Sequence, residues 1–232
     1  MTPPGRYVVE ETAGLASRVA RRLRKRDWTV SVAESCTGGL VASLITDISG
    51  ASEWFKQGWV VYSNESKMRE LGVEKSAFED GSAGAVSHEV AVQMARGARY
   101  QSDSDVAISI TGIAGPGGGT DDKEVGRVHV AVVTAEDYFL VRRMDFGEND
   151  RLDNKRSFAA FALRLGLEAM DRVSSPGESE EGTHSLATAT DTSELDPSEE
   201  EWEGSLSWKE DKKTVAEEIS SVDLASLTEW ED

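Results

Sequence analysis

The segment Ala33-Glu34-Ser35-Cys36-Thr37-Gly38-Gly39 decides the reading of this chain. The residues before it, 28–33, form a short β-prone run with Val30 and Val32 on one face. The residues after it, 40–48, read as a helix. A strand that turns through a polar, glycine-ended segment into a helix belongs to an open α/β sheet. Ser35 then falls in a tight turn at the strand's C-terminal end, the edge where such sheets collect ligands.

The same alternation extends outward in both directions. Leu15, Val19 and Leu23, with Ala16 and Ala20 beside them, repeat at helical spacing and predict an amphipathic helix over 8–26. Residues 59–62 predict a second strand and 64–71 the start of another helix. Val90, Ala91, Met94, Ala95 and Ala98 predict a helix that Ser87 caps. Val106, Ile108 and Ile110 alternate as a strand, as do Val128, Val130 and Val132. A turn around Glu136 and Asp137 leads to a partner strand over 139–144, and Phe158, Phe161, Ala162, Leu165 and Ala169 define a closing helix. This order predicts a three-layer α/β/α domain with a mixed, mainly parallel sheet whose late strands run antiparallel.

Charge separates two regions. Of the 43 acidic and 25 basic residues, 18 acidic and 3 basic lie in 174–232. That leaves 25 acidic and 22 basic residues in the first 173, nearly balanced. The expected organisation is therefore a domain over 1–173 followed by an acidic tail over 174–232. The tail's apolar residues are too sparse to offset the entropy of ordering it, which predicts disorder. Its Trp202, Trp208 and Trp230, spaced among acids, suit either docking to a protein partner or a purely solubilising role.

Several function classes are disfavoured. No apolar run reaches the roughly 18–20 residues needed to span a bilayer, and the N-terminus lacks the apolar segment of a secretory signal. One cysteine, Cys36, excludes an internal disulfide framework and fits a reducing, cytoplasmic setting. Three scattered histidines, His88, His129 and His184, predict neither a metal site nor a cofactor ligand set. Nucleic acid is a poor partner for so acidic a chain. The basic stretch over 18–26 reads as the solvated face of its helix.

Three segments carry chemistry. In the first, the amides of Cys36, Thr37 and Gly38 at a helix start can bind an anion or stabilise an oxyanion, and Gly38 and Gly39 permit close approach of a ligand. A plain structural turn capped by Thr37 would look similar. In the second, Tyr62 ends a strand and Lys67 lies a turn into the next helix, so both can point into one cleft. A neutral lysine can take a serine proton, provided its pKa falls from about 10.4 to about 7–8, roughly 4 kcal/mol of desolvation or like-charge pressure. Glu34 facing Lys67 would oppose that fall, so it is expected to face a substrate hydroxyl or a backbone amide. The third is the glycine-rich run from Thr111 to Thr120, including Gly112, Gly115, Gly117 and Gly118. It has neither a phosphate-loop ending nor dinucleotide spacing; it suits either a ligand phosphate against backbone amides or a flexible connector, and Lys123 and Arg127 either add positive charge for a phosphate or are ordinary surface residues.

Taken together, AESCTGG (33–39), ITDISGASEWFKQGWVVYSNESK (45–67), GAVSHEV (84–90) and ITGIAGPGGGT (110–120) resemble the CinA C-terminal domain family over about residues 10–170. The resemblance implies deamidation of nicotinamide mononucleotide to nicotinate mononucleotide and ammonia, in pyridine nucleotide salvage, without a metal or other cofactor. It implies Ser35 as nucleophile, Lys67 as base and Tyr62 assisting proton transfer. The glycine loop and Thr37 would hold polar groups of the nucleotide substrate. It also implies a homo-oligomer. The chain departs from the family's pattern in Glu124, where proline is common, and in the acidic tail. The rival readings are an inactive nucleotide-binding or regulatory protein acting through that tail, and an enzyme whose nucleophile is Cys36.

Overall fold

The structure is a computed structural model that describes residues 4–173 except 121, 137 and 148, with only the backbone for 4–11. The acidic tail, and with it the expected disorder and tryptophan motifs, lies outside the described residues. The element order is α1 (Pro4–Arg26), β1 (Val30–Glu34), α2 (Leu40–Thr46), β2 (Phe55–Val60), α3 (Asn64–Leu71), α4 (His88–Ser102), β3 (Val106–Gly112), β4 (Arg127–Thr134), β5 (Phe139–Asp145) and α5 (Arg151–Arg172).

The five strands form one sheet in the order β2-β1-β3-β4-β5. Strand β1 pairs in parallel with β2 and β3, whereas β3–β4 and β4–β5 are antiparallel. The expected mainly parallel sheet is thus corrected to an even division. The cause is the connection after β3, a glycine-rich loop with no crossover helix, which returns the chain antiparallel.

Side-chain alternation on the strands divides the core into two layers. Val30, Val32, Ile108, Ile110, Val128, Val130 and Val132 face α1, α2 and α5, where Leu23, Val41, Ile45, Phe158, Leu163 and Leu165 complete one fully buried cluster. Ala33, Ala107, Ala131 and Val133 face the other way, against Leu71, Val90, Met94, Ala95 and Ala98 of α3 and α4. The small residues on that second face let α4 lie close to the sheet. Gly97 does the same for α3, because a Cβ there would stand 2.0 Å from the Leu71 carbonyl oxygen.

Three elements begin earlier than their sequence pattern suggests, α1 among them at Pro4 rather than 8. Strand β2 starts at Phe55 rather than 59, because it is an edge strand whose Lys56, Gln57 and Gly58 are exposed and break the apolar signature. Helix α5 starts at Arg151, seven residues before Phe158. Its first two turns are polar, and Asp150 caps it by accepting the Leu152 amide at 2.9 Å.

Helix α2 leaves the C-terminal end of β1 on one face of the sheet, and α3 and α4 connect β2 to β3 across the other. The ends of β1 and β3 therefore border a topological switch point, the crevice of an open α/β sheet.

Candidate active site

Ser35 follows the last residue of β1. Its amide donates to the Ile110 carbonyl at 3.0 Å, and its own carbonyl accepts the Gly38 amide at 3.1 Å. Gly38 and Gly39 both take left-handed backbone, with φ of 63° and 95°. Two such residues in succession demand glycine, so the pair sets the shape of the turn. The Gly38 amide is consumed inside the turn. The amides of Cys36 and Thr37 have no backbone acceptor among the described residues.

Glu34 is fully buried and acts on the other side of the strand from Ser35. Its carboxylate accepts the amides of Gly39 at 3.0 Å, Val41 at 3.1 Å and Ala42 at 2.7 Å. Of the two sequence expectations for Glu34, the backbone amide is the one met, and both carboxylate oxygens are engaged by amides. The glutamate caps α2 from a distance, because the N-cap position itself is Gly39 and offers no side chain. Thr37 does not cap. Its Oγ1 is buried without a partner among the described residues.

Lys67 approaches Ser35 from α3. That helix is held in place by the reciprocal capping of Ser63 and Ser66, and Gly72 ends it with left-handed backbone. Lys67 is 1% exposed. Its Nζ lies 3.0 Å from the Val61 carbonyl oxygen, 3.4 Å from that of Tyr62 and 3.1 Å from Ser35 Oγ. Burial pushes its pKa below the usual lysine value, against smaller opposing pulls from Cys36 and Glu65. A neutral amine has two N–H groups and one lone pair. With both N–H groups donated to carbonyls, the lone pair is left to accept the Ser35 hydroxyl proton.

Cys36 is buried, and burial raises its thiol to about 12. A thiol in that state offers almost no thiolate at neutral pH, so the site favours Ser35 over its neighbour.

The remaining expected residues are placed as follows. The Tyr62 side chain is exposed, and its hydroxyl accepts from Arg151 at 2.7 Å. It makes no hydrogen bond to Ser35 or Lys67. The Thr111 hydroxyl donates to the Ala85 carbonyl at 2.7 Å. Gly112 is the last residue of β3, paired with Val128, and a Cβ there would stand 2.6 Å from the Arg127 carbonyl oxygen. Its missing side chain thus serves strand packing. Gly115 has φ of 85° and its carbonyl accepts from Arg151 Nη1, while Gly117 and Gly118 are exposed on the loop. Lys123 is committed to the carbonyls of Ala83 and Val86, and Arg127 to Asp145 and the Asp122 carbonyl. The positive charge of these two holds the loop together.

Sequence reasoning missed the first turns of α5. Arg151 ties Tyr62 to Gly115, and Asn154, fully buried, donates to the carbonyls of Ala114 and Gly147 at 3.3 Å each. The available signal was Asp150 as a helix cap, which places Arg151 and Lys155 one turn apart on the same face. Among the described residues no group of three metal-ligating side chains converges, and no helix is long and apolar enough to cross a membrane.

The sequence model of the CinA C-terminal domain matches residues 12–170. The chain is 46% identical over 154 residues to the nicotinamide-nucleotide amidohydrolase PncC of Escherichia coli, covering 66% of this chain and 92% of that protein. It is 44% identical over 164 residues to a CinA-like protein of Desulforapulum autotrophicum, covering 70% of this chain but only 38% of that protein. Among solved structures, the competence/damage inducible protein CihA from Agrobacterium tumefaciens superposes with a TM-score of 0.67 at 38% identity, over 70% of this chain and 96% of that one. A CinA superfamily protein from Klebsiella pneumoniae gives 0.65 at 31%, over 70% and 99%.

Proposed function

The chain belongs to the CinA C-terminal domain family, and from that premise we propose that it is an amidohydrolase that deamidates nicotinamide mononucleotide by Ser-Lys chemistry. The reading draws on the likeness to a nicotinamide-nucleotide amidohydrolase over 92% of that protein. The observation that carries it is the buried Lys67 amine, 3.1 Å from Ser35 Oγ, with two carbonyls fixing its other hydrogen-bonding directions.

Ser35 Oγ attacks the carboxamide carbon while Lys67 Nζ takes the hydroxyl proton. The carbonyl oxygen becomes an oxyanion, and the amides of Cys36 and Thr37 are the donors assigned to it. Lys67 returns the proton to the amide nitrogen as the C–N bond breaks, and ammonia leaves. The product is a nicotinoyl ester on Ser35. Lys67, neutral again, takes a proton from water, which attacks the ester carbon. Collapse of that second tetrahedral intermediate frees nicotinate mononucleotide and reprotonates Ser35. Thr37 Oγ1, buried and unpaired among the described residues, is assigned to a polar group of the substrate. Tyr62 and Arg151 form the rim between Gly115 and the turn.

The test is ammonia release from nicotinamide mononucleotide by wild type, Ser35→Ala and Lys67→Met. A general base contributes about 10²–10⁴ in rate, and removing either member of a coupled pair disables both. Each variant should therefore lose at least a hundredfold. Folded wild type that releases no ammonia would sink the proposal, and a Lys67→Met variant within tenfold of wild type would sink the mechanism.

A further inference from the structure

A mononucleotide brings a phosphate dianion to the site, and the two cations that sequence marks for it, Lys123 and Arg127, are committed to loop carbonyls and to Asp145. Another cation is positioned for the role. Lys155 lies on α5 one turn after Arg151, on the same helix face. Its Nζ stands 3.5 Å from the point where a Cβ on Gly38 would be. Gly38 closes the turn that begins at Ser35, since its amide bonds the Ser35 carbonyl. The ends of such a turn lie within about 7 Å of each other, so the Lys155 ammonium stands at most about 14 Å from the Ser35 hydroxyl, on the scale of an extended mononucleotide.

The ammonium has no acceptor among the described residues. The carboxylate closest in the chain to this turn is Glu34, and its oxygens are spent on three amides. Arg151 donates to the Tyr62 hydroxyl and the Gly115 carbonyl, which leaves further N–H groups of its guanidinium beside Lys155. Two cations therefore flank the nucleophile turn, one anchored and one unpaired. The glycine conformation at position 38 also keeps the space beneath the ammonium clear.

We propose that Lys155 is a specificity-determining residue, whose ammonium binds the 5′-phosphate of the mononucleotide and selects it over the riboside, which lacks the phosphate. This assignment rests on the amidase reading. It makes the anion a binding handle that takes no part in bond breaking, so its loss should raise KM and spare kcat.

The test measures ammonia release by the full chain from nicotinamide mononucleotide and from nicotinamide riboside, using wild type, Lys155→Gln and Lys155→Arg. Binding of nicotinate mononucleotide is measured by calorimetry on the same proteins. Lys155→Gln should raise KM for the mononucleotide roughly 10- to 100-fold, the range for losing a charged hydrogen bond, with kcat within about threefold. Its kcat/KM for the riboside should not change, and Lys155→Arg should recover most of the affinity. Equal KM values for wild type and Lys155→Gln would overturn the assignment and leave the amidase reading intact. A parallel fall of kcat on both amides would also overturn it, since Lys155 would then only support the turn. If wild type releases no ammonia, the amidase reading fails, and calorimetry still decides the subsite: affinity lost in Lys155→Gln upholds it, and equal or absent binding refutes it.

Discussion

Replacing Glu34 with glutamine tests whether a buried carboxylate holds the nucleophile turn. Glutamine keeps the shape and removes the charge. Two effects oppose each other. A buried carboxylate carries a desolvation cost that glutamine would relieve. Against that, three amides converge on the carboxylate at 2.7–3.1 Å, and glutamine has one acceptor where glutamate has two. If its oxygen takes the Oε2 position, the Gly39 and Val41 amides keep their partner and the side-chain NH₂ faces the Ala42 amide. If it takes the Oε1 position, the Ala42 amide is kept and two donors are lost. Either way a donor faces a donor in a fully buried place. Each orphaned amide costs about 1–3 kcal/mol, and losing a charge at a partly buried helix start adds up to about 2 kcal/mol. The amides should win, with a net loss of about 2 kcal/mol. For a domain of this size that is a fall in Tm of roughly 4–8 °C. Thermal unfolding followed by circular dichroism reads it directly. Ammonia release at a temperature where both proteins are folded should fall as well, because the turn carrying Ser35 loosens. A variant as stable as wild type or more so would refute the reasoning, since desolvation would then outweigh the hydrogen bonds.

Lys67→Met should abolish ammonia release yet raise thermal stability at pH 7, because the wild type buries an amine whose pKa burial has lowered. The unfolded chain binds that proton more readily, so the wild-type deficit is absent above about pH 10.4 and grows as pH falls towards the folded value; a variant less stable than wild type at pH 7 contradicts this. Cys36→Ala should keep ammonia release within about threefold, since a thiol near 12 leaves roughly one molecule in 10⁴ to 10⁵ as thiolate at neutral pH. Abolished turnover there would make Cys36 the nucleophile. His129 is buried beside His88, Lys123, Arg127 and Arg143, and burial holds its pKa well below the ordinary histidine value. Stability should therefore be full above about pH 6.5 and decline below it, and His129→Leu should flatten that decline in urea titrations taken at several pH values. Gly97→Ala should cost about 3 kcal/mol, because its Cβ would stand 2.0 Å from the Leu71 carbonyl oxygen and force α3 away from α4. An unchanged urea midpoint would mean that the two helices part without resistance.

What was legible in the sequence, and what was not, follows from how far each signal reaches. The turn at Ser35 is local: a β-run, two glycines and a helix start lie within a dozen residues, and periodicity reports them. The core faces are local too, since Val30 and Val32 or Val128, Val130 and Val132 show their common face by alternation alone. The direction of β4 depends on what the connection after β3 contains, and a glycine-rich loop does not announce whether it crosses the sheet or turns back. The role of Glu34 was left open between two partners, because a side chain's choice of face is settled by the helix that packs beside it. Lys123 and Arg127 stay open in the sequence, between phosphate ligands and surface residues, for a related reason. A cation near a glycine loop looks like a phosphate ligand until the loop's own carbonyls are seen to occupy it. Lys155 was invisible for the complementary reason: it lies more than a hundred residues from Ser35, on helical turns with no apolar stripe to mark them. A charge that the fold leaves unpaired beside a nucleophile can only be recognised once every nearby charge has been assigned its partner, and that accounting requires the three-dimensional structure.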